Sequence, residues 1–289
     1  MPSHIYSMVG MWESSIASNR RAIAASKDYA VKSHLDGTLA GVPHAYDFMA
    51  YAYLQLGQDN KAKALIDDAT GIKKVVGPRL VGATGQAAVQ ARYMLERQDW
   101  HGAAQLKPLG TDIQPAEAIT HLARALGAAR SSDFTAAQAD IATLKDLRGA
   151  LEKNKQGYWA RQVEIQILAA QAWVAQGQND RAEGLRLMRV AADLEDASKK
   201  HVAMENRLYP MRELLGDLLM ANDQAPGALR EYEKSLQNAP MRLRGFYGAA
   251  KAADATGDKK KAEEYRSSRT SPKVRTATVP SCVRCDSGW

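Results

Sequence analysis

The sequence predicts an all-α chain of about seven stacked helical hairpins, and three observations predict it. Apolar residues recur at steps of three and four along most of the 289 residues. The periodic stretches break seven times at a turn residue, and in most of the breaks a small side chain follows five positions later. Nowhere does a convincing run of alternating apolar and polar residues lie between turn signals, as a strand would.

The first hairpin, "VGMWESSIAS", turns at Gly10 with Ser15 as its small residue. The second, "YAYLQLGQDNKAKALIDDA", turns at Gly57 between Tyr46, Met49, Ala50 and Tyr53 on one side and Ala62, Leu65, Ile66 and Ala69 on the other. A glycine inside a helix costs about 1 kcal/mol against alanine, so one set between good helix formers reads as a helix stop. The third turns at Gln98 in "RQDWHGAAQL" with Ala103, and the fourth at Ser132 in "SSDFTAAQADI" with Ala137. The fifth turns at Gly177 in "QGQNDRAEGL" with Ala182, the sixth at Asp223 in "NDQAPGALREY" with Ala228, and the seventh at Gly257 in "TGDKKKAEEY" with Ala262. A small residue at a fixed place after a turn is what close approach of two helices demands. The turn residues are 47, 41, 34, 45, 46 and 34 positions apart. One hairpin of this size cannot bury both of its apolar stripes, so the units must stack.

The sixth unit, "RELLGDLLMANDQAPGALREYEKSLQNAP", sets Leu215, Gly216, Ala228, Tyr232, Leu236 and Pro240 in an order that closely resembles a tetratricopeptide repeat. The strings "MPSHIY", "YAYLQLGQD", "EAITHLARALGAARS", "YWARQVEIQILAAQAW", "ADLEDASKKH" and "YPMRELLGDLL" together resemble a family of bacterial tetratricopeptide proteins to which no activity is assigned. The resemblance covers most of residues 1–266. It implies a right-handed α-α superhelix, a solenoid, over 1–266, followed by a disordered or non-homologous tail over 267–289. Members of that family usually carry a further helical region before "PSHI", so the resemblance implies that Met1 is an internal methionine and this chain a C-terminal portion. Two stretches depart from the pattern: "MENRLYP" holds less proline, and the ending after Arg266 does not continue it.

Composition agrees, with 45% hydrophobic residues and only 10 prolines. Seven stacked units make one elongated body, not two compact domains. No apolar run is long enough to cross a bilayer, and "MPSHIYSMVG" lacks the basic start and apolar centre of a secretory signal, so a cytoplasmic protein with no membrane partner is expected. Cys282 and Cys285 form a single "CVRC" that lacks the other two ligands of a zinc site and the strand and helix around a redox pair, so they read as two reduced thiols. The formal charge is +7, and Arg269, Lys273, Arg275 and Arg284 against Asp286 put +3 of it in the tail, leaving +4 for the helical body. Acids and bases alternate along most helices, and no basic face interleaved with aromatic rings emerges, so nucleic acid is not an expected partner. The tail "SSRTSPKVRTATVPSCVRCDSGW" has no helical period and leaves the last hairpin without a cap. The exposed ends of such an array leave homo-oligomerisation open.

Function in a stacked array falls on the wall lined by the first helix of each hairpin. Residues thirteen, ten and six before each turn residue should point inward. These are His4 in the first unit; His44, Asp47 and Tyr51 in the second; Arg92 in the third; Glu164 and Gln171 in the fifth; Glu213 and Asp217 in the sixth; and Arg244, Tyr247 and Lys251 in the seventh. A polar wall of mixed charge suits an extended protein or peptide segment held by hydrogen bonds and ion pairs. The clamp by which some tetratricopeptide domains grip a C-terminal carboxylate needs basic residues where this chain has Asp47, Glu164, Glu213 and Asp217, so a partner with basic or hydroxyl groups is expected.

The alternative is a metal-dependent enzyme or sensor using His4, His44, Asp47 and Glu164, since imidazole and carboxylate suit zinc, iron or manganese and His44 and Asp47 share one helix face. No nucleophile with an oriented base stands out, so a non-enzymatic scaffold that needs no cofactor is the leading expectation. His121 reads as a packing histidine, and His34 and His101 fall in a connection and at a turn. Trp12, Trp100 and Phe134, each two positions after a turn residue, read as packing rings. Trp173 is expected to face the core, and Tyr158 with Trp159 to staple the entrance of the fifth unit.

Overall fold

The computed structural model describes residues 2–198 and 207–268. Cys282, Cys285 and nearly all of the tail lie outside them, as does the "MEN" of "MENRLYP". The described chain is all-α apart from two short strands. The helices are α1 (Pro2–Met8), α2 (Trp12–Lys32), α3 (Gly41–Gln55), α4 (Asp59–Thr70), α5 (Arg79–Arg97), α6 (Trp100–Ala104), α7 (Gln114–Arg130), α8 (Phe134–Lys153), α9 (Gly157–Gly177), α10 (Arg181–Ala197), α11 (Met211–Ala221), α12 (Ala225–Asn238), α13 (Leu243–Ala255) and α14 (Lys259–Ser268). The strands β1 (Thr38–Leu39) and β2 (Val75–Val76) pair in parallel and tie the α2–α3 connection to the α4–α5 connection. Two-residue strands are too short to carry an alternation, which is why none was expected.

The seven hairpins share one turn geometry. At each, the amide after the turn residue donates to the carbonyl four positions before it: Met11 to Tyr6, Gln58 to Tyr53, Asp99 to Met94, Asp133 to Ala128, Asp180 to Ala175, Gln224 to Leu219 and Asp258 to Ala253, all at 2.8–3.0 Å. This is the Schellman closure, and it requires a left-handed residue in between. Gly10, Gly57, Gln98, Ser132, Asp223 and Gly257 have φ between 55° and 84°. In the fifth hairpin that residue is Asn179, at φ 71°, and not Gly177, which closes α9. The buried small residue there is correspondingly Gly184, while Ala182 is exposed. Asp99, Asp133 and Asp180 then cap the second helix by accepting from the amides of Gly102, Ala136 and Glu183.

Each first helix packs on its own second helix and on the first helix of the next hairpin. The series α3, α5, α7, α9, α11 and α13 forms an inner row, and α13 returns to touch α3. The second and seventh hairpins therefore meet. Trp12 Nε1 donates to the Met241 carbonyl at 3.1 Å, and a Cβ on Gly10 would lie 2.4 Å from that of Met241, so only glycine admits this approach. The inner row of the stacked hairpins thus closes on itself through α13 and α3. One apolar core runs from α5 to α13 and a smaller one joins α2, α3 and α4.

Candidate functional site

The polar residues of the inner row and its connections form two networks. In the first, α3 presents His44, Asp47 and Tyr51 on one face, and α1 and α5 answer them. His4 Nε2 and His44 Nε2 lie 3.0 Å apart with both rings packed against Phe48. Burial holds His44 below the usual histidine pKa, and the nearby Asp47 only partly offsets it. Asp47 is gripped by Arg92, with Nε at 2.7 Å and Nη2 at 3.2 Å. Arg92 Nη1 reaches across to the carbonyls of Arg207 and Leu208, at 2.8 and 3.4 Å.

Tyr51 lies between two buried arginines. The Arg92 and Arg242 guanidinium carbons lie 4.7 and 5.4 Å from its ring centroid. Arg242, fully buried before the start of α13, donates from Nε and Nη2 to the two oxygens of Glu213, at 2.6 and 2.8 Å. Its Nη1 donates to Glu96 at 2.8 Å and to the Tyr51 hydroxyl at 2.9 Å. Burial alone would lower the pKa of Arg242, but Glu213 and Glu96 more than offset it and hold it well above the ordinary arginine value. Beside it the Leu243 amide donates to Gln55 Oε1 at 2.8 Å.

Asp217 is the centre of the second network. It accepts from the hydroxyls of Tyr209 and Tyr232, at 3.0 and 2.6 Å, and from Gln98 at 3.3 Å, and it pairs with Arg244 at 3.5 Å. Burial, with the Asp217 charge behind it, pushes both tyrosines far above their ordinary range. Next to it Arg130 stacks between the rings of Trp100 and Trp173, 4.4 and 3.8 Å from their centroids.

The structure thus brings together His4, His44, Asp47, Tyr51, Arg92, Glu213, Asp217 and Arg244. It does not bring in Glu164 or Gln171. Glu164 pairs with Arg148 of α8, and Gln171 joins neither network among the described residues. Both positions are counted back from Gly177; counting from Asn179 moves the inward positions two residues on, to Gln166, Ala169 and Trp173. Tyr247 is 62% exposed and Lys251 is also exposed, so in the last hairpin only Arg244 turns inward. Asp47 has both oxygens committed to Arg92 and Glu164 lies elsewhere, so His4, His44, Asp47 and Glu164 do not converge. Among the described residues no three His, Cys, Asp or Glu side chains are placed to hold a metal ion.

Sequence reasoning missed Arg242, Glu96, Gln55 and the Trp12 indole bond. None falls in the phase of the inner wall, and Arg242 stands in a connection where no period applies. The aromatic residues read as packing groups do pack: Trp12 and Trp173 are buried, Trp100 and Phe134 half-buried, and Tyr158 meets Trp159 edge to face at 5.0 Å. His121 is half-buried and bonds Asp140 at 2.6 Å, where Arg124 also donates. No described helix is long and apolar enough to cross a membrane. No family model, curated protein or solved structure matches the chain.

Proposed function

We propose that the chain is a non-enzymatic scaffold of the tetratricopeptide class, its hairpins wound as a right-handed superhelix, that holds a protein or peptide segment on the inner row. The observation that carries this reading is that the inner row and its neighbours already handle the chain of connections and of a helix start. Arg92 takes two backbone carbonyls, Trp12 of α2 a third and Gln55 a backbone amide, while Glu96, Glu213 and Tyr51 surround an arginine side chain from a connection. Carbonyl, amide and side-chain partners together are the chemistry by which a wall recognises a polypeptide. Carboxylates held by guanidinium groups and tyrosine hydroxyls are ill placed to bind metal or to act as bases, so the metal-dependent reading draws less support.

The test is a peptide array probed with the purified chain. A set of peptides sharing a short pattern is expected, with binding weakened at least tenfold by Asp217→Asn or Tyr51→Ala in variants whose circular dichroism is unchanged. An array that retains nothing, together with inner-row amides protected from hydrogen exchange in every hairpin, would remove the reading.

A further inference from the structure

The pocket made by Tyr51, Glu96 and Glu213 has the form of a receptor for one side chain. Two carboxylates and a phenol hydroxyl converge on a planar fork, and all four bonds from Arg242 are charge-assisted. The occupant does not come from an inward-facing helix position. It comes from the connection Ala239–Arg242, which lies against Trp12 and α3. That connection carries a cost of its own: Met241 is held at φ 64°, a left-handed conformation that a residue with a side chain seldom adopts, outside any of the hairpin turns. We infer that residues 239–243 act as an internal stand-in for the partner, and that the partner segment is one that presents an arginine to Tyr51, Glu96 and Glu213. This rests on the scaffold reading and gives that partner its chemistry: a basic segment with a guanidinium, not merely a positive charge.

Plug and partner are linked through one pocket. The internal arginine competes at an effective concentration on the order of millimolar, because it is tethered, so the intact chain binds such a segment weakly. Removing the tethered guanidinium raises the affinity for one supplied from outside, since two buried carboxylates are left unpaired.

The test uses the full chain, Arg242→Ala, and a labelled peptide carrying residues 238–244, "NAPMRLR", against the same peptide with citrulline at the position of Arg242. Citrulline keeps the shape and loses the charge. Arg242→Ala is expected to bind the arginine peptide at least tenfold more tightly than the wild type does and to ignore the citrulline form, and adding Glu213→Gln is expected to abolish the gain. Equal binding of the two peptides by a folded Arg242→Ala chain overturns the inference. If Arg242→Ala does not fold, the wild type decides: excess arginine peptide must accelerate hydrogen exchange at the Leu243 amide and the citrulline peptide must not, and equal rates overturn it. Array peptides that bind without regard to arginine overturn this inference alone and leave the scaffold standing; failure of every peptide to bind overturns this inference, and together with inner-row amides protected from hydrogen exchange in every hairpin it removes both.

Discussion

The middle of the chain and the seam where its first two hairpins meet the α12–α13 connection are held by different means. Between α7 and α9 small apolar side chains carry most of the packing: Ala116, Ala118, Ala123, Ala125, Ala169, Ala170 and Ala172 are all fully buried, Gly127 lets α7 approach the α6 backbone, and the ionic groups are Asp140 with His121 and Arg124, and Arg130 against Trp173. At the seam the large buried groups are Arg92 and Arg242, joined to Asp47, Glu96 and Glu213. Neighbouring hairpins need only mass and shape, and burial of small apolar surface supplies that without direction. Residues that are 191 apart in the chain, such as Tyr51 and Arg242, meet in one register only if the contact is directional. Buried ion pairs are a poor source of net stability and a good source of specificity, because breaking them is costly while replacing them whole is not.

That difference can be broken first at the seam. Arg242→Ala strands Glu96 and Glu213 without their partner, and the expected loss is about 3–5 kcal/mol in urea unfolding. A loss under about 1 kcal/mol would mean that water reaches those carboxylates and that the seam is not dry. Along its alanine-lined contacts the middle is expected to respond to volume. A Cβ on Gly127 would lie 2.4 Å from the Trp100 carbonyl oxygen and 2.5 Å from the Ala104 amide nitrogen, both backbone atoms that cannot turn away. Gly127→Ala should therefore cost about 1–3 kcal/mol, read as a lowered midpoint in thermal unfolding. An unchanged midpoint would show that α6 slides to make room.

The turns give a smaller effect and a sharper question. Asn179 is the left-handed residue of the fifth hairpin. Asn179→Gly should stabilise by up to about 1 kcal/mol, because glycine adopts that conformation without the Cβ penalty. Gly177 has no such role, being the last residue of α9, and a Cβ there would meet the Phe134 ring at 2.4 Å. Stabilisation by Asn179→Gly alongside destabilisation by Gly177→Ala is the expected pair of outcomes, and the reverse pair would restore Gly177 as the turn.

The same turn explains how far the sequence could be read. Six turn residues were legible because glycine or a polar residue stood five before a small one. The fifth was misplaced because Gly177 and Ala182 imitate that spacing two residues early. A second signal was present and would have decided it: Asp99, Asp133 and Asp258 each follow a turn residue directly, and Asp180 follows Asn179, not Gly177. The two-residue slip carried Glu164 and Gln171 onto the wrong face, whereas His44, Asp47, Tyr51, Glu213 and Asp217 were counted from turns that are where the spacing puts them. Closure was illegible for a different reason. Local periodicity fixes which face of a helix is inward, but not what stands opposite it, and Arg242 and Glu96 are paired by the path of the whole chain.

The mildest way to separate the two regions is acid. His4 and His44 face each other through Nε2 at 3.0 Å, so one nitrogen must donate and the other accept, and the pair is sound only while one of them lacks that proton. Burial keeps His44 below its ordinary value of 6.5 in the folded chain. An undocked histidine titrates at its ordinary value, so the undocked state takes up more protons as pH falls. Docking of α1 on α3 is then at full strength above about pH 6.5 and is lost as pH falls below it toward the depressed folded value. The arginines of the seam keep their charge through that range, and Tyr209 and Tyr232 are moved further from it. Hydrogen exchange, corrected for its intrinsic pH dependence, should show α1 amides opening between about pH 7.5 and 5.5 while the Leu243 amide stays protected. His44→Asn, which cannot take up that proton, should flatten the response. If the α1 amides open equally in His44→Asn and in the wild type, the pair is a packing contact only, and α1 is held by the buried Ser7–Ser15 hydroxyl contact at 3.1 Å and its apolar neighbours instead.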